Sequence, residues 1–407
     1  MRRMRILYST PGYKPAYRIG GPILSVSAAA ERLVKRGHEV TVVTTNANLD
    51  EDIDVPLARA VDIEGVQVWY YRREEPLRKW LPFVSYLSRS MGYMYAPDMR
   101  AALDHLVPQH DVVDTQMPFV YPTYAAARAA LRHGKPLFYH QRGNYLETHR
   151  ERRRLKKDIY ISLFEKPVMR KAAALIALTA QEQEAFHALC PETPCEIIPN
   201  GIDVPSLDAS AAARIEARYG IPRSAPLILF LARLHPWKGA DELLGAFRRI
   251  QAEVPDARLV MAGADECDAV SRWMPIAQSE GFASRLFFPG VVSGDEKSDL
   301  LQRAGVFCLP SQGEGLSMAI LEALANATAV VLSPGCHFPE AEAAGAGVIA
   351  PRDEEAIAKV LLDLLRDASR MRSVGEAGRR LVQRTYTWDA VIDRFEEVYG
   401  RAISKAG

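Results

Sequence analysis

The sequence has few cysteines, almost no net charge and no long apolar run, and each shortage excludes a class of protein. Its five cysteines are an odd number without a CxxC pair, so neither a disulfide framework nor a zinc or redox motif is indicated. Lys and Arg (51) nearly balance Asp and Glu (50), which leaves no overall field to recruit nucleic acid. No apolar stretch approaches about eighteen residues, and the one in MRRMRILYST is too short for a signal peptide. We therefore expect a reduced cytoplasmic chain.

What the sequence does contain is two series of short apolar runs that alternate with segments of helical period. This pattern is typical of parallel strands buried between helices in doubly wound α/β domains. The predicted strands are 5–10, 39–45, 66–71, 111–116, 136–141, 174–179 and 196–200 in the first series, and 227–233, 258–263, 285–290, 306–311, 329–333 and 347–351 in the second. At 407 residues the chain is too long for one core. We predict Rossmann-like domains at 1–204 and 205–384, with a C-terminal helix, 385–407, that packs back on the first domain.

Doubly wound sheets carry their binding sites at the carboxyl ends of the strands, and one such end is followed by SQGEGLSMAILEALA, residues 311–325. Two domains that face each other would enclose a central cleft whose walls are loops of this kind. Helical spacing predicts a helix over 316–326, whose first N–H groups have no partner within the helix. We expect the amides of Leu316, Ser317 and Met318 to bind an anion such as a phosphate.

Charged side chains surround this helix start. Glu314 precedes the helix and Glu322 lies one or two turns along it, so both carboxylates can accept hydrogen bonds from sugar hydroxyls beside a phosphate. In RLHPWKGADELLGAF, Arg233 closes a strand and Lys238 follows it in the same strand-to-helix loop. Two cations in one such loop favour a diphosphate. The alternative for each of these residues alone is a solvated surface charge.

The first domain contains a glycine pair, Gly20 and Gly21, between a strand and an amphipathic helix. The pair does not match the G-x-G-x-x-G fingerprint of dinucleotide-binding domains, so NAD is not favoured as a cofactor. The alternative is a loop in which the backbone at Gly21 approaches a phosphate closely.

Together these segments resemble the retaining glycosyltransferases of family 4, which have the GT-B fold. The resemblance is carried by GGPILSVSAAAERLVKRGHEVTVVT, IIPNGID, LARLHPWKGADELLGAF and above all the E-x7-E pair in GEGLSMAILEALA. It implies an N-terminal acceptor domain and a C-terminal nucleotide-sugar domain. It assigns Arg233 and Lys238 to the donor diphosphate. It also assigns Glu314 to the transferred sugar, Glu322 to the ribose, and Gly21 to the phosphate and acceptor.

Two further residues follow from the strand-end rule and the resemblance. His140 ends the strand in FYHQRG, where similar enzymes place a histidine on the donor sugar, and we expect it to face the cleft. The nearby Arg142 is expected to contact the donor or the acceptor. One segment departs from the family pattern, because DTQMPF, residues 114–119, stands where many relatives carry a histidine. No acceptor role is assigned there.

The resemblance implies transfer from a nucleotide diphosphate sugar, such as a UDP- or GDP-sugar, to an acceptor hydroxyl, with retention of the α configuration. Front-face attack requires no side-chain nucleophile, and no metal ion is expected because Arg233 and Lys238 already neutralise the leaving diphosphate. The product would belong to a cell-surface polysaccharide or glycolipid. A nucleotide-sugar 2-epimerase of the same fold and a non-catalytic nucleotide-sugar binding protein are the alternatives.

Two first-domain stretches bear on the acceptor. Residues 72–100 mix Arg and Lys with aromatic side chains, and residues 149–157, HRERRRLKK, form a dense cationic run. Basic residues beside aromatic ones favour an anionic membrane surface, here the inner face of the cell membrane. Such placement would bring a cytoplasmic enzyme to a lipid-linked oligosaccharide acceptor. The alternative is a set of core aromatics and a solvated helix face.

Overall fold

The computed structural model describes residues 2–49, 51–74, 94–146 and 154–406. The chain divides into two compact units, the first formed by residues 1–201 and 388–407 and the second by residues 202–387. The strands of the first unit are β1 (Arg5–Ser9), β2 (Glu39–Thr45), β3 (Ala47–Asn48), β4 (Glu51–Asp52), β5 (Ala60–Ile63), β6 (Val66–Tyr71), β7 (Val112–Gln116), β8 (Leu137–His140), β9 (Ala174–Ala177) and β10 (Cys195–Ile197). Those of the second are β11 (Leu227–Leu231), β12 (Arg258–Ala262), β13 (Leu286–Gly290), β14 (Val306–Leu309), β15 (Ala329–Leu332) and β16 (Gly347–Ile349).

The α-helices lie between these strands and at the end of the chain. Those of the first unit are Gly21–Lys35, Asp98–Leu106, Tyr121–Arg132, Arg154–Tyr160, Lys166–Met169, Ala180–Leu189 and Trp388–Ala406. Those of the second are Ala211–Tyr219, Ala240–Ile250, Ala269–Ser279, Gly294–Arg303, Met318–Ala325, Pro339–Ala343, Glu354–Arg366 and Ala368–Thr385.

The first unit is built on one eight-stranded sheet in the order β10-β9-β8-β7-β1-β2-β6-β5. Neighbouring strands are parallel except for the edge pair β5 and β6, which is antiparallel. Alternate residues of β1 enter different hydrophobic clusters, since Ile6 and Tyr8 belong to one and Leu7 to the other. Both faces of the sheet are therefore buried, which is why its strands are uninterrupted apolar runs.

The second unit is built on a six-stranded sheet in the order β13-β12-β11-β14-β15-β16, with all neighbours parallel. β11 lies inside this sheet, and the strand order reverses between β11 and β14. In open α/β sheets, ligands bind at the carboxyl ends of the strands beside such a reversal. The predicted pair of doubly wound sheets is confirmed.

Every strand predicted from an apolar run coincides with a strand of the structure. The strands that were not predicted are β5 and the short antiparallel pair β3 and β4. Residues of β4 are exposed, and β5 alternates exposed with half-buried positions at the sheet edge. These strands lack the continuous apolar run by which the others are recognised, because they are not covered on both faces.

The helix Trp388–Ala406 belongs to the first unit, as predicted for the end of the chain. Its buried residues Trp388, Phe395 and Tyr399 join the same cluster as β1 and β2. Gly201 lies against the indole of Trp388, where a Cβ atom would approach the ring to 2.4 Å. The helix begins at Trp388, three residues after the predicted boundary at 385.

A buried carboxyl group lies beneath the first sheet. Glu165 ends a π-helical turn, Ile161–Glu165, and only 2% of the residue is exposed. Burial raises the pKa of Glu165 to about 7, although hydrogen bonds from the Phe119 N–H and the Tyr145 hydroxyl favour the ionised form. A hydrogen bond with Tyr139 acts in the same direction, so desolvation outweighs three hydrogen bonds at this position.

We expect Glu165→Gln to remove a pH-dependent loss of stability. Because the folded-state pKa lies above the reference value of 4.5, the neutral carboxyl stabilises the wild type at low pH and this contribution is lost as the pH rises through about 7. The unfolding free energy of the wild type should fall relative to the variant by up to about 1.4 kcal/mol per pH unit in this window. Urea unfolding from pH 5 to 8 measures this difference, with the exposed Glu184→Gln as control. Parallel profiles for wild type and Glu165→Gln would contradict the expectation.

Candidate functional site

The carboxyl edge of the second sheet brings two loops together where the strand order reverses. One loop, residues 232–239, follows β11, and the other, residues 310–317, follows β14, its neighbour in the sheet. Both loops contain residues that the sequence singles out. Their position agrees with the general rule for ligand sites in such sheets.

A glycine makes the close approach of these loops possible. Gly239 has φ +79°, and a Cβ atom there would lie 2.2 Å from the backbone oxygen of Pro310. The indole N–H of Trp237 donates to Gly313 O at 2.9 Å, and the Gln312 N–H donates to Trp237 O at 2.8 Å. The two loops are therefore joined by a side-chain and a backbone hydrogen bond.

Lys238 and Glu314 form an ion pair across the two loops. Lys238 Nζ lies 2.6 Å from Glu314 Oε1, and the two side chains are 19% and 10% exposed. The Glu314 N–H donates to Gly335 O at 2.9 Å, which fixes its backbone from a third loop. Because water reaches this pair poorly, removal of either partner would leave the other charge uncompensated.

The third loop, which follows β15, also brings a histidine near this pair. His337 caps the turn Pro334–Cys336 with φ +52°. Burial lowers the pKa of His337, while the Glu314 carboxylate acts in the opposite direction. Sequence spacing does not identify His337, because it approaches Glu314 only through the pairing of β14 with β15.

The helix after the second loop begins two residues later than predicted. It spans Met318–Ala325, and Ser317 is its N-cap without a capping hydrogen bond from the side chain. Leu321 N–H donates to Ser317 O at 3.3 Å, so the N–H groups of residues 318–320 precede the first bond of the helix. Leu316 lies in the loop and is buried. The positive end of the helix dipole therefore falls at residues 318–320.

The other two predicted charges also have partners. Arg233 Nη1 lies 2.7 Å from Glu266 Oε2, and Lys297 Nζ lies 2.7 Å from Glu322 Oε1. Glu266 and Lys297 were not predicted, because neither belongs to the loops after β11 and β14. Each of the four predicted charges of the second unit is thus neutralised by a neighbour.

Arg352 is a further residue that the sequence did not reveal. Its Nε donates to Pro310 O at 2.9 Å, and its guanidinium also contacts Pro236 O. An ion pair with Glu242, at 2.7 Å, holds the guanidinium in place. Arg352 therefore joins the backbones of the two site loops.

In the first unit, Gly20 and Gly21 open the helix Gly21–Lys35. Gly20 is the N-cap with φ +101°, and Gly21 is the first helical residue. A Cβ atom at Gly21 would have no heavy atom within 4 Å. The predicted glycine pair thus stands at an uncrowded helix N-terminus.

The predicted donor contact of His140 stays a prediction, and the structure shows that its side chain is covered by protein. Its side chain is fully buried, with Nε2 2.9 Å from Asp114 Oδ2 and the ring stacked on Phe395. Burial lowers the pKa of His140, although the Asp114 carboxylate opposes this effect. The cover comes from the C-terminal helix, which is remote in sequence. Among the described residues, Nδ1 of His140 is buried without a hydrogen-bond partner.

Arg142 follows the same strand and links three elements of the first unit. Its Nε donates to Gln116 Oε1 at 2.7 Å, and its Nη1 donates to Ser25 Oγ at 3.1 Å. The same Nη1 donates to Asn200 Oδ1 at 3.0 Å. The predicted ligand contact of Arg142 stays a prediction, since these bonds already engage much of the guanidinium.

The arrangement in the second unit favours an anion that carries hydroxyl groups. Lysine, arginine and unbonded helix amides stabilise negative charge, and carboxylates accept hydrogen bonds from hydroxyls. Among the described residues, no group of three or more His, Cys, Asp or Glu side chains is arranged to hold a metal ion.

Two protein-family models match the chain. The model described as "Glycosyl transferase 4-like domain" matches residues 20–201, and the model described as "Glycosyl transferases group 1" matches residues 212–381. The first match ends where the first unit passes into the second. The second match contains the loops that hold Lys238 and Glu314.

Curated relatives are similar over part of their length. The chain is 34% identical to phosphatidyl-myo-inositol mannosyltransferase of Mycobacterium tuberculosis over 211 residues, 50% of this chain and 53% of that protein. It is 30% identical to D-inositol 3-phosphate glycosyltransferase of Xylanimonas cellulosilytica over 254 residues, 59% of this chain and 60% of that protein. The chain thus spans between half and two thirds of the length of these two relatives.

Solved structures are similar over nearly the whole chain. The crystal structure of Anabaena HepE in complex with UDP-glucose superposes with a TM-score of 0.72 and 18% identity, covering 98% of this chain and 100% of that one. At this identity the likeness shows the fold alone. It confirms the predicted GT-B fold.

We expect Gly239→Ala to destabilise the second unit more than Gly281→Ala does. Both glycines have positive φ, +79° and +77°, so each substitution carries a backbone cost of about 1–2 kcal/mol. A new Cβ has open space at position 281, whereas at position 239 it overlaps Pro310 O and pushes the two site loops apart. Urea unfolding free energies should differ by about 1 kcal/mol or more. Equal losses would mean that the loops do not constrain each other.

Proposed function

The chain belongs to the family 4 glycosyltransferases of the GT-B fold, and on this premise we propose that it is a retaining nucleotide-sugar glycosyltransferase. It transfers a sugar to an acceptor hydroxyl in the assembly of a cell-surface polysaccharide or glycolipid. The observation that carries the proposal is the Lys238–Glu314 ion pair beside the start of the helix Met318–Ala325. The carboxyl edge of the second sheet thus provides a cation that can bind a diphosphate and a carboxylate that can accept hydrogen bonds from sugar hydroxyls.

The diphosphate is the leaving group, and its growing charge needs compensation. As the bond between the sugar C1 and the phosphate oxygen breaks, negative charge develops on that oxygen. Lys238, Arg233 and the amides of residues 318–320 supply positive charge without a metal ion. An ammonium group has three N–H donors, so Lys238 can bind phosphate while it holds Glu314. The second carboxylate oxygen of Glu314 then accepts a hydrogen bond from a hydroxyl of the transferred sugar.

Retention follows when the acceptor attacks the face from which the diphosphate leaves. The acceptor oxygen forms its bond to C1 as the old bond breaks, and its proton passes to the departing phosphate oxygen. No protein nucleophile is needed. A hydrolase with two catalytic glutamates is not favoured, because Glu314 and Glu322 are each bound by a lysine.

The remaining family roles fall to Glu322 and Gly21. Glu322 accepts hydrogen bonds from the ribose, and Gly21 lets the backbone approach the phosphate or the acceptor. The local structure supports a role for Gly21 in ligand binding, since an alanine there would meet no neighbouring atom and glycine is not needed for packing. His140 and Arg142 are the proposed first-unit contacts to the donor or the acceptor, and their bonds to Asp114 and Ser25 hold them in place.

A lipid-linked acceptor is supported by one relative, which is named as a mannosyltransferase of the lipid phosphatidyl-myo-inositol. Another relative is named for the water-soluble acceptor D-inositol 3-phosphate, and the two names share an inositol phosphate group. The HepE structure holds UDP-glucose, which supports a nucleotide-sugar donor. We infer a nucleotide-sugar donor and a lipid-linked acceptor for this chain.

An exposed apolar face supports contact with a membrane surface. Leu155, Ile159 and Leu163 recur at helical spacing and are 74%, 51% and 65% exposed, with Lys156 and Lys157 beside them. Apolar side chains flanked by lysines favour an anionic bilayer surface. Within the described ranges, every helix is too short or too polar to span a bilayer.

Much of the predicted basic and aromatic surface lies outside the described residues. This applies to positions 75–93 and 147–153, with the aromatic side chains Trp80, Phe83, Tyr86 and Tyr93. Tyr95 is described, and its ring packs edge-to-face on Tyr121 with the centroids 5.0 Å apart. Tyr95 therefore serves packing, as the alternative interpretation of this stretch expected.

We expect Lys238→Ala and Glu314→Ala each to lower turnover by about 100-fold or more. A thermal-shift screen of UDP- and GDP-sugars selects the donor, and release of nucleoside diphosphate with a lipid-linked acceptor measures turnover. The double variant removes both charges at once and so avoids an unpaired buried charge. Arg214→Ala, which breaks an ion pair with Asp299 elsewhere in the second unit, is the control and should retain activity.

The same assay separates the alternatives. A transferase forms an α-linked product and releases nucleoside diphosphate when acceptor is present, in buffer that contains EDTA. Conversion of the donor to its 2-epimer without net release would indicate the epimerase. Donor binding without either reaction would indicate a binding protein. Wild-type turnover in the folded double variant would refute the site.

We expect the chain to co-sediment with vesicles that contain anionic lipid and to bind neutral vesicles less. Leu155→Ser with Leu163→Ser should lower binding several-fold, because burial of these side chains in the bilayer contributes to the affinity. Leu207→Ser is the matched control, since Leu207 is 54% exposed in the second unit. Equal binding to neutral and anionic vesicles at all salt concentrations would rule out electrostatic attachment.

A further inference from the structure

The carboxylate of Glu322 is held by a lysine that has no role in the proposed reaction. Lys297 lies in the helix Gly294–Arg303, which follows β13 and the loop 291–293. Its Nζ is 2.7 Å from Glu322 Oε1, and the two side chains are 32% and 21% exposed. Within the part of the chain that the structure describes, Glu322 Oε2 has no hydrogen-bond partner.

The position of Lys297 is unusual for a helix. It is the fourth residue of Gly294–Arg303, directly after Asp295 and Glu296, whose negative charges suit the start of a helix. A cation in the first turn opposes the helix dipole. The placement is therefore not explained by the stability of its own helix, and the carboxylate of Glu322 is the group that Lys297 meets.

A surface ion pair of this exposure contributes little to folding. Its effect on geometry is larger, because a glutamate side chain rotates about several bonds and an isolated carboxylate has no fixed orientation. Once Lys297 holds Oε1, fewer orientations remain open to Oε2. A carboxylate with one oxygen held by a lysine can use its other oxygen to accept hydrogen bonds from hydroxyl groups.

We propose that Lys297 is a positioning residue that orients Glu322 toward the ribose hydroxyls of the donor nucleotide, and so sets the preference for ribonucleotides over deoxyribonucleotides. The inference rests on the proposed function, which places a nucleotide sugar at this edge. Lys297 acts through Glu322 and does not itself contact the sugar. A pair that only joins two helices would leave nucleotide selectivity unchanged.

The test measures binding of UDP and GDP and of their 2′-deoxy forms to the full chain by calorimetry. The wild type should bind the better ribonucleotide about tenfold or more tightly than its deoxy form, since a site built for a hydroxyl loses an interaction without it. Lys297→Met should reduce this ratio at least about threefold, through weaker binding of the ribonucleotide alone, and Lys297→Arg should restore it. The exposed Lys359→Met is the matched control and should keep the wild-type ratio.

Lys297→Met and Glu322→Gln also form a double-mutant cycle, which isolates the interaction between the two side chains. Glu322→Gln should lower the same ratio, and Lys297→Met should add little to it, because both act on one carboxylate. In turnover assays Lys297→Met should raise KM for the donor and leave kcat within about twofold.

The outcomes distinguish the inference from its premise. If the wild type binds ribonucleotides selectively and Lys297→Met keeps the full ratio, the inference is wrong and the proposed function stands. If the wild type binds a nucleoside diphosphate without preference for ribose, the inference is overturned together with the ribose contact of Glu322, while the assignment as a glycosyltransferase stands. If neither diphosphate binds, the proposed function fails and the inference falls with it.

Discussion

The candidate site depends on one close approach, that of the backbone at Gly239 to the carbonyl oxygen of Pro310. A Cβ atom at Gly239 would overlap Pro310 O, and the preceding residue, Lys238, meets Glu314 across the same two loops. The ion pair in turn lies beside the amides that open the helix Met318–Ala325. A cation, a carboxylate and a helix N-terminus thus lie together at the carboxyl edge of the second sheet, because the loops 232–239 and 310–317 are in contact.

The first unit depends on a different constraint, a carboxylate with no exposure. Asp114 accepts a hydrogen bond from the Tyr399 hydroxyl at 2.6 Å and contacts the imidazole of His140. A buried charge is costly unless such partners satisfy it, so the C-terminal helix that supplies Tyr399 is bound into the sheet. The same packing covers His140 with Phe395. His140 therefore contributes to the packing of the first unit, although its position at a strand end predicts a ligand contact.

The strands and the general place of the site were predictable because their signals are local. A strand buried on both faces is an uninterrupted apolar run, and a site loop follows its carboxyl end. The exposed strands β4 and β5 lack that signal and were missed. The helix at Met318 starts later than its spacing indicates, because Leu316 continues the apolar pattern while its backbone is still in the loop. Periodicity locates a helix better than it locates the first residue of that helix.

Residue patterns along the chain were enough to predict two doubly wound sheets, the loops that carry Arg233, Lys238 and Glu314, and the chemistry of an anion flanked by hydroxyls. Which charges are paired and which side chains are covered depends on the packing of the folded chain. Lys297 reaches Glu322 from another helix, and His140 is buried by the end of the chain. Such contacts depend on the order of strands in a sheet and on the packing of helices that are remote in sequence. The spacing of residues along the chain does not show which of these elements become neighbours.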